Sequence, residues 1–109
     1  MSPKADTVAP AASTHTITIS VSSGEIVVAP PSLIVDKNDK IEWTSAEIFS
    51  IEFGGISPTK NRKGKKDMTG KVKMDVRGDV GPGVYKYTVA VASGGEVLIR
   101  DPEIIIDVV

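Results

Sequence analysis

Residues 81–91 read GPGVYKYTVAV, a turn followed by an uninterrupted alternation. Gly81 and Gly83 supply dihedrals that side chains resist, and Pro82 fixes φ, so the three reverse the chain before a regular element begins. After them Tyr85, Tyr87, Val89 and Val91 take every second position, with Lys86, Thr88 and Ala90 between them. A period of two sends alternate side chains to opposite faces of a β-strand and leaves one face apolar. That face is stable only beneath a second layer, so the rest of the chain must supply one.

The same period recurs on both sides of this stretch. HTITISV at 15–21 alternates Ile17, Ile19 and Val21 with Thr16, Thr18 and Ser20. EIVVAPPSLIV at 25–35 is two short apolar runs divided by Pro30 and Pro31, which lack an N–H and place the break at a sheet edge or a crossing between sheets. DKNDKIEW at 36–43 turns into a strand bearing Ile41 and Trp43, and IFSIEFGG at 48–55 aligns Phe49, Ile51 and Phe53 before Gly54 and Gly55. KVKMDV at 71–76 sets Val72, Met74 and Val76 against Lys71, Lys73 and Asp75, and PEIIIDVV at 102–109 is apolar almost throughout. The 3.6-residue helical period is missing, and the one candidate helical turn lies within residues 57–70. Seven or eight such strands predict an all-β, antiparallel Greek-key sandwich, with an immunoglobulin-like sandwich as the alternative.

A chain of 109 residues with 40% apolar side chains fills one core and leaves none for a second. The expected division is a flexible leader over residues 1–14, rich in Ala, Pro, Ser and Thr, and a single domain over residues 15–109. A formal charge of −1 creates no global field toward nucleic acid or membrane. The leader has no apolar segment of the signal-peptide kind, and no run is long enough to span a bilayer. A cytoplasmic protein is expected, or a periplasmic or extracellular one if a signal was trimmed.

The order of elements resembles the cupredoxins, the plastocyanin and azurin type of Greek-key sandwich, over roughly residues 15–109. The residues that carry the resemblance are APPSLIVDKNDKIEW, FSIEF and GPGVYKYTVAV. Trp43, Gly83, Tyr85 and Tyr87 match the family pattern, whereas Asn38-Asp39 stands where Gly-Asp is usual. The resemblance implies copper ligands at positions that here hold Phe49, in place of the first histidine, and Val89, in place of the cysteine. Ala92 falls where the later ligands should follow, and residues 90–109 contain neither His nor Met. A blue-copper centre takes two imidazoles and a thiolate with a weak axial ligand. With no cysteine and with His15 as its one histidine, the chain cannot assemble that set, and no cofactor is expected.

Other chemistry is thin. His15 reads as a solvated residue at the junction of leader and first strand, Met68 as a loop residue and Met74 as core. Absent cysteine, nucleophilic catalysis would need a partner for His15, and none is evident. Asp101 and Glu103 could share a face, but DPE at a strand entrance is the composition of a turn. GKKDMTGKV at 64–72 departs from a phosphate loop in spacing and has Val72 where a hydroxyl belongs. Arg77-Gly78-Asp79 reads as part of a turn. The unusual feature is a run of five cations, Lys60, Arg62, Lys63, Lys65 and Lys66, expected to form a loop that is either solvated or used against an anionic partner. No aromatic residue is interleaved there, so nucleic acid would be held weakly and without sequence preference.

The expected function is therefore a copper-free cupredoxin-like binding or structural module, not an enzyme, acting through protein contacts or self-association. The alternatives are an electron-transfer or copper-handling protein with a non-standard site, and a small carboxylate-based enzyme.

Overall fold

The computed structural model describes residues 13–65 and 71–106. These form two facing sheets and no helix. β1 (Thr14–Ser22), β2 (Glu25–Ala29), β4 (Lys40–Ser45) and β7 (Lys71–Asp75) make the first sheet, in the order β2-β1-β4-β7. The second contains β3 (Ser32–Val35), β10 (Glu103–Ile106), β8 (Gly83–Ser93), β5 (Ile48–Phe53) and β6 (Lys63–Lys65) in the order β3-β10-β8-β5-β6, with β9 (Glu96–Arg100) beside β8.

Pro30 and Pro31 mark the crossing, since β2 lies at an edge of the first sheet and β3 at an edge of the second. The Ala29–Pro30 peptide is cis. This crossing also explains why the sandwich is not wholly antiparallel. Once β2 and β3 have carried the chain away and back, β4 runs alongside β1 in the same direction, with Ile17 opposite Trp43. β10 likewise runs parallel to β3, with Ile105 opposite Ile34.

The described residues form ten strands where seven or eight are expected, because two of them carry no alternating strand pattern in the sequence. β9 folds back on β8 across Gly94-Gly95, both at positive φ, so that Val91 faces Leu98 and Ala92 faces Val97. β6 is Lys63-Gly64-Lys65, which has no apolar period and becomes a strand by pairing with β5, Gly64 opposite Ile51.

The apolar faces meet in one core. Ile17, Ile41 and Trp43 of the first sheet and Ile51, Phe53, Tyr87, Val89 and Ile104 of the second are buried almost completely. Trp43 and Tyr87 stack edge to face at 5.6 Å and 74°, and the Trp43 Nε1–H donates to the Tyr87 hydroxyl at 3.2 Å, which satisfies both buried polar atoms. Burial pushes the Tyr87 phenol up to about 12, only partly countered by the Trp43 bond. Tyr85, by contrast, was expected in the core and is only half-buried. It lies near the start of β8, and its hydroxyl donates to the Gly81 carbonyl at 2.6 Å.

Candidate functional site

The positions that the resemblance assigns to metal ligands hold packing side chains. Phe49 on β5 and Val89 on β8 are buried, with Phe49 opposite Val91 and Val89 opposite Ile51 on the adjoining strand. Ala92 falls in the opposite phase of β8 and points out of the sandwich. His15 belongs to the other sheet, and the Met74 sulfur accepts from the Thr59 hydroxyl at 3.4 Å. Among the described residues, no three His, Cys, Asp or Glu side chains gather to hold a metal ion. Met68 lies outside the described residues. The donor chemistry does not fit copper: the chain has no thiolate, a single imidazole, and hydrocarbon at Phe49 and Val89.

His15 is not a solvated end, as its position had suggested. The parallel pairing of β1 with β4 brings it beside Asp39, with Nε2 2.8 Å from Oδ2. The same carboxylate accepts the backbone N–H of Asp36 at 2.9 Å and of Ser13 at 3.0 Å. Burial alone would raise the Asp39 pKa, but the Asp36 N–H, the His15 ring and the Ser13 N–H outweigh it and hold the carboxyl below its usual value. This clasp ties the start of β1 to the turn before β4. Nothing in it resembles a nucleophile–base pair.

A cleft of about 490 Å³ between the β2 edge and the β9–β10 corner contains the carboxylate pair singled out above. Asp101 accepts from the Thr88 hydroxyl at 2.9 Å, while Glu103 accepts from the Ser32 hydroxyl at 2.8 Å and lies 4.0 Å from the Lys86 ammonium. Both acids are thus engaged with neighbouring strands. Arg77 is similarly held in its own turn, donating to the Ser57 carbonyl and to Asp79, so the Arg-Gly-Asp sequence is part of a closed turn.

The unspent apolar chemistry lies outside. On the solvent face of the second sheet, Ile48, Ala92 and Val97 form one row across β5, β8 and β9, and Ser50, Ala90 and Ile99 form the next. Ile48, Val97 and Ile99 are each about two-thirds exposed, at 71%, 68% and 64%. At the other end of the same face, Ile34, Ile105 and Val84 make a further row across β3, β10 and β8. Sequence reading missed this face because β9 was missed. The signal was present in Gly94-Gly95 between two apolar runs, a two-residue hairpin composition.

The cationic segment is not a loop throughout. Lys60 and Arg62 precede β6, with the Arg62 Nε–H donating to the Phe53 carbonyl, and Lys63 and Lys65 belong to β6 itself. Lys66 lies outside the described residues. Lys71 and Lys73, set apart from this group by the sequence, belong to β7 and line a groove of about 240 Å³ together with Lys63 and Lys65.

No protein-family model matches the chain, and no curated protein matches it. Solved structures do. A pseudoazurin from Sinorhizobium meliloti superposes with a TM-score of 0.57 at 16% identity, over 88% of this chain and 75% of that one. A purple cupredoxin from Nitrosopumilus maritimus superposes with a TM-score of 0.55 at 13% identity, over 85% and 99%. The fold is that of the cupredoxins. This chain is a cupredoxin-like domain without the ligands for a blue-copper centre. Among the described residues no helix is long and apolar enough to cross a membrane.

Proposed function

We propose that the domain is a copper-free cupredoxin-like module that works by protein–protein contact, self-association included. One observation carries the reading: the exposed row Ile48–Ala92–Val97, with Ile99 beside it. Cross-strand packing of branched aliphatic side chains stabilises a sheet only modestly when they face solvent, and a contiguous apolar patch of this kind is characteristic of an interface. The row has the same chemistry read from either end, a branched residue, an alanine and a branched residue. A two-fold axis along β8 therefore sets Ile48 of one copy on Val97 of another and alanine on alanine, and the small central residues let the two sheets approach closely. Few side chains take part, which gives an interface at the small end of the range and an association in the micromolar range or weaker. The basic segment Lys60, Arg62, Lys63, Lys65 and Lys66 contributes contacts to a partner.

Sedimentation velocity over a concentration series tests this. The native chain should show reversible dimerisation, and the double variant Ile48→Asp, Val97→Asp should remain monomeric with its thermal transition little changed. A native chain that stays monomeric at the highest concentration removes self-association through this face.

A further inference from the structure

The two sheets end on the same side of the molecule in lysine-bearing edge strands. β6 closes the second sheet and β7 the first. Gly64 sits so near β7 that a Cβ placed on it would lie 2.7 Å from Val72 Cγ1. Gly64 and Val72 also line a groove together with Lys63 and Lys65 of one strand, Lys71 and Lys73 of the other, and Asn61.

Backbone pairing shows what else faces outward at these lysines. The Phe53 N–H donates to the Arg62 carbonyl, so in an antiparallel ladder Gly64 bonds toward β5 while the N–H and C=O of Lys63 and Lys65 turn to the open edge. On β7, the Val76 N–H donates to the Asp39 carbonyl of the neighbouring chain segment, and the Lys60 N–H reaches the Asp75 carbonyl from the opposite side. Asp75 therefore faces away from β4, and by the same alternation so do Lys73 and Lys71. Lys63, Lys65 and Lys73 each thus combine an ammonium group with a main-chain N–H directed away from their own sheet; because Gly64, Val72 and Met74 take the inward phases, Lys63 and Lys65 stand on the solvent face of the second sheet and Lys73 on that of the first. Lys71 lies 3.6 Å from Glu42, whereas Lys63, Lys65 and Lys73 make no ion pair among the described residues.

We infer that this seam between β6 and β7 is a binding site for an acidic, extended segment of a protein partner. The inference rests on reading the domain as a protein-binding module. Lysines two apart on a strand are spaced by roughly 6.8 Å, which is also the repeat of alternate side chains in an extended peptide. An extended peptide in the seam alternates its side chains between the same two solvent faces, so its carboxylates meet Lys63 and Lys65 on one side and Lys73 on the other, and main-chain N–H groups add uncharged donors for their oxygens. The lysines also exclude the wrong occupant, because a second copy of either edge would bring lysine against lysine. Nucleic acid is the poorer fit, since no aromatic side chain borders the groove to stack a base.

The test uses a hexaglutamate peptide with blocked ends, titrated into the full chain by calorimetry at low ionic strength and again at physiological salt. Lys63→Ser on one edge and Lys73→Ser on the other should each weaken binding by about fivefold or more and flatten its salt dependence, while Lys37→Ser, in a turn elsewhere, should leave it unchanged. Equal weakening by Lys37→Ser would reduce the effect to net charge and overturn the site. Absence of peptide binding at low salt overturns it as well, and tighter binding of tripolyphosphate or a short oligothymidine would overturn the assignment to an acidic protein. The titration is done at concentrations where the chain is monomeric, so loss of this site and loss of dimerisation are separate results.

Discussion

Tyr87 illustrates how a single side chain joins the two sheets. It stands between Trp43, whose indole N–H it accepts, and Phe53, whose ring centroid lies 5.3 Å away. Burial holds its phenol neutral, so the folded pKa lies above the unfolded value of 10.0, at about 12. The direction of the linkage follows. Stability is intact below pH 10 and falls as the pH rises toward 12, because only the unfolded chain gains by ionising there, a loss of roughly 3 kcal/mol when complete. Tyr85→Phe leaves Tyr87 as the one tyrosine, and absorbance at alkaline pH should then show ionisation near pH 12 or coincident with unfolding. A midpoint at the ordinary tyrosine value would place Tyr87 in contact with water. The sequence makes both tyrosines look inward, because both lie in the same phase of GPGVYKYTVAV. It does not show that the Tyr85 ring stays half-exposed, with its hydroxyl turned to the Gly81 carbonyl. The meeting of His15 with Asp39 is hidden for a related reason, since it depends on the parallel register of β1 and β4, and no local pattern announces a pairing between strands so far apart in the chain.

At the scale of elements, strands with an apolar alternation are legible and strands made by their neighbours are not. Phe49, Ile51 and Phe53 identify β5 by themselves, whereas Lys63-Gly64-Lys65 has no signal beyond its position beside β5. What seats β6 is the absence of a side chain at Gly64, which lets the strand settle over Val72 and Met74. Gly64→Ala puts a methyl group 2.7 Å from Val72 Cγ1 and 3.2 Å from Met74 Cε, and Val72 is short and buried, with little freedom to move. The substitution should destabilise the domain by about 1–3 kcal/mol, read as a lower urea midpoint with an unchanged slope. An unchanged midpoint would mean that β6 does not rest on β7.

For the molecule as a whole, the sandwich was legible from alternation and the loss of the copper set from residue types, but the surfaces were not, because exposure depends on register. Ile48 and Phe49 are neighbours in sequence and equally apolar; pairing with β8 sends one to solvent and the other to the core. Since Phe49 and Val89 are part of that core and Ala92 offers no ligand atom, calorimetric titration with Cu(I) or Cu(II) should give no tight one-to-one site once residues before Ser13 are removed, and the preparation should show no blue absorption. A tight stoichiometric site would contradict the packing at Phe49 and Val89. The placement of β10 has a further consequence, for synthesis. β3 is joined to its sheet through β10 alone, which lies between it and β8. While the chain emerges from a ribosome, Ser32–Val35 waits without its sheet neighbour until Glu103–Ile106 arrives, so the second sheet is completed only after β10 has emerged. In that interval the nascent domain leaves β3 unpaired and exposes the core side chains that Ile104 and Ile106 will cover, a condition in which chaperones engage a chain and misassembly competes with folding.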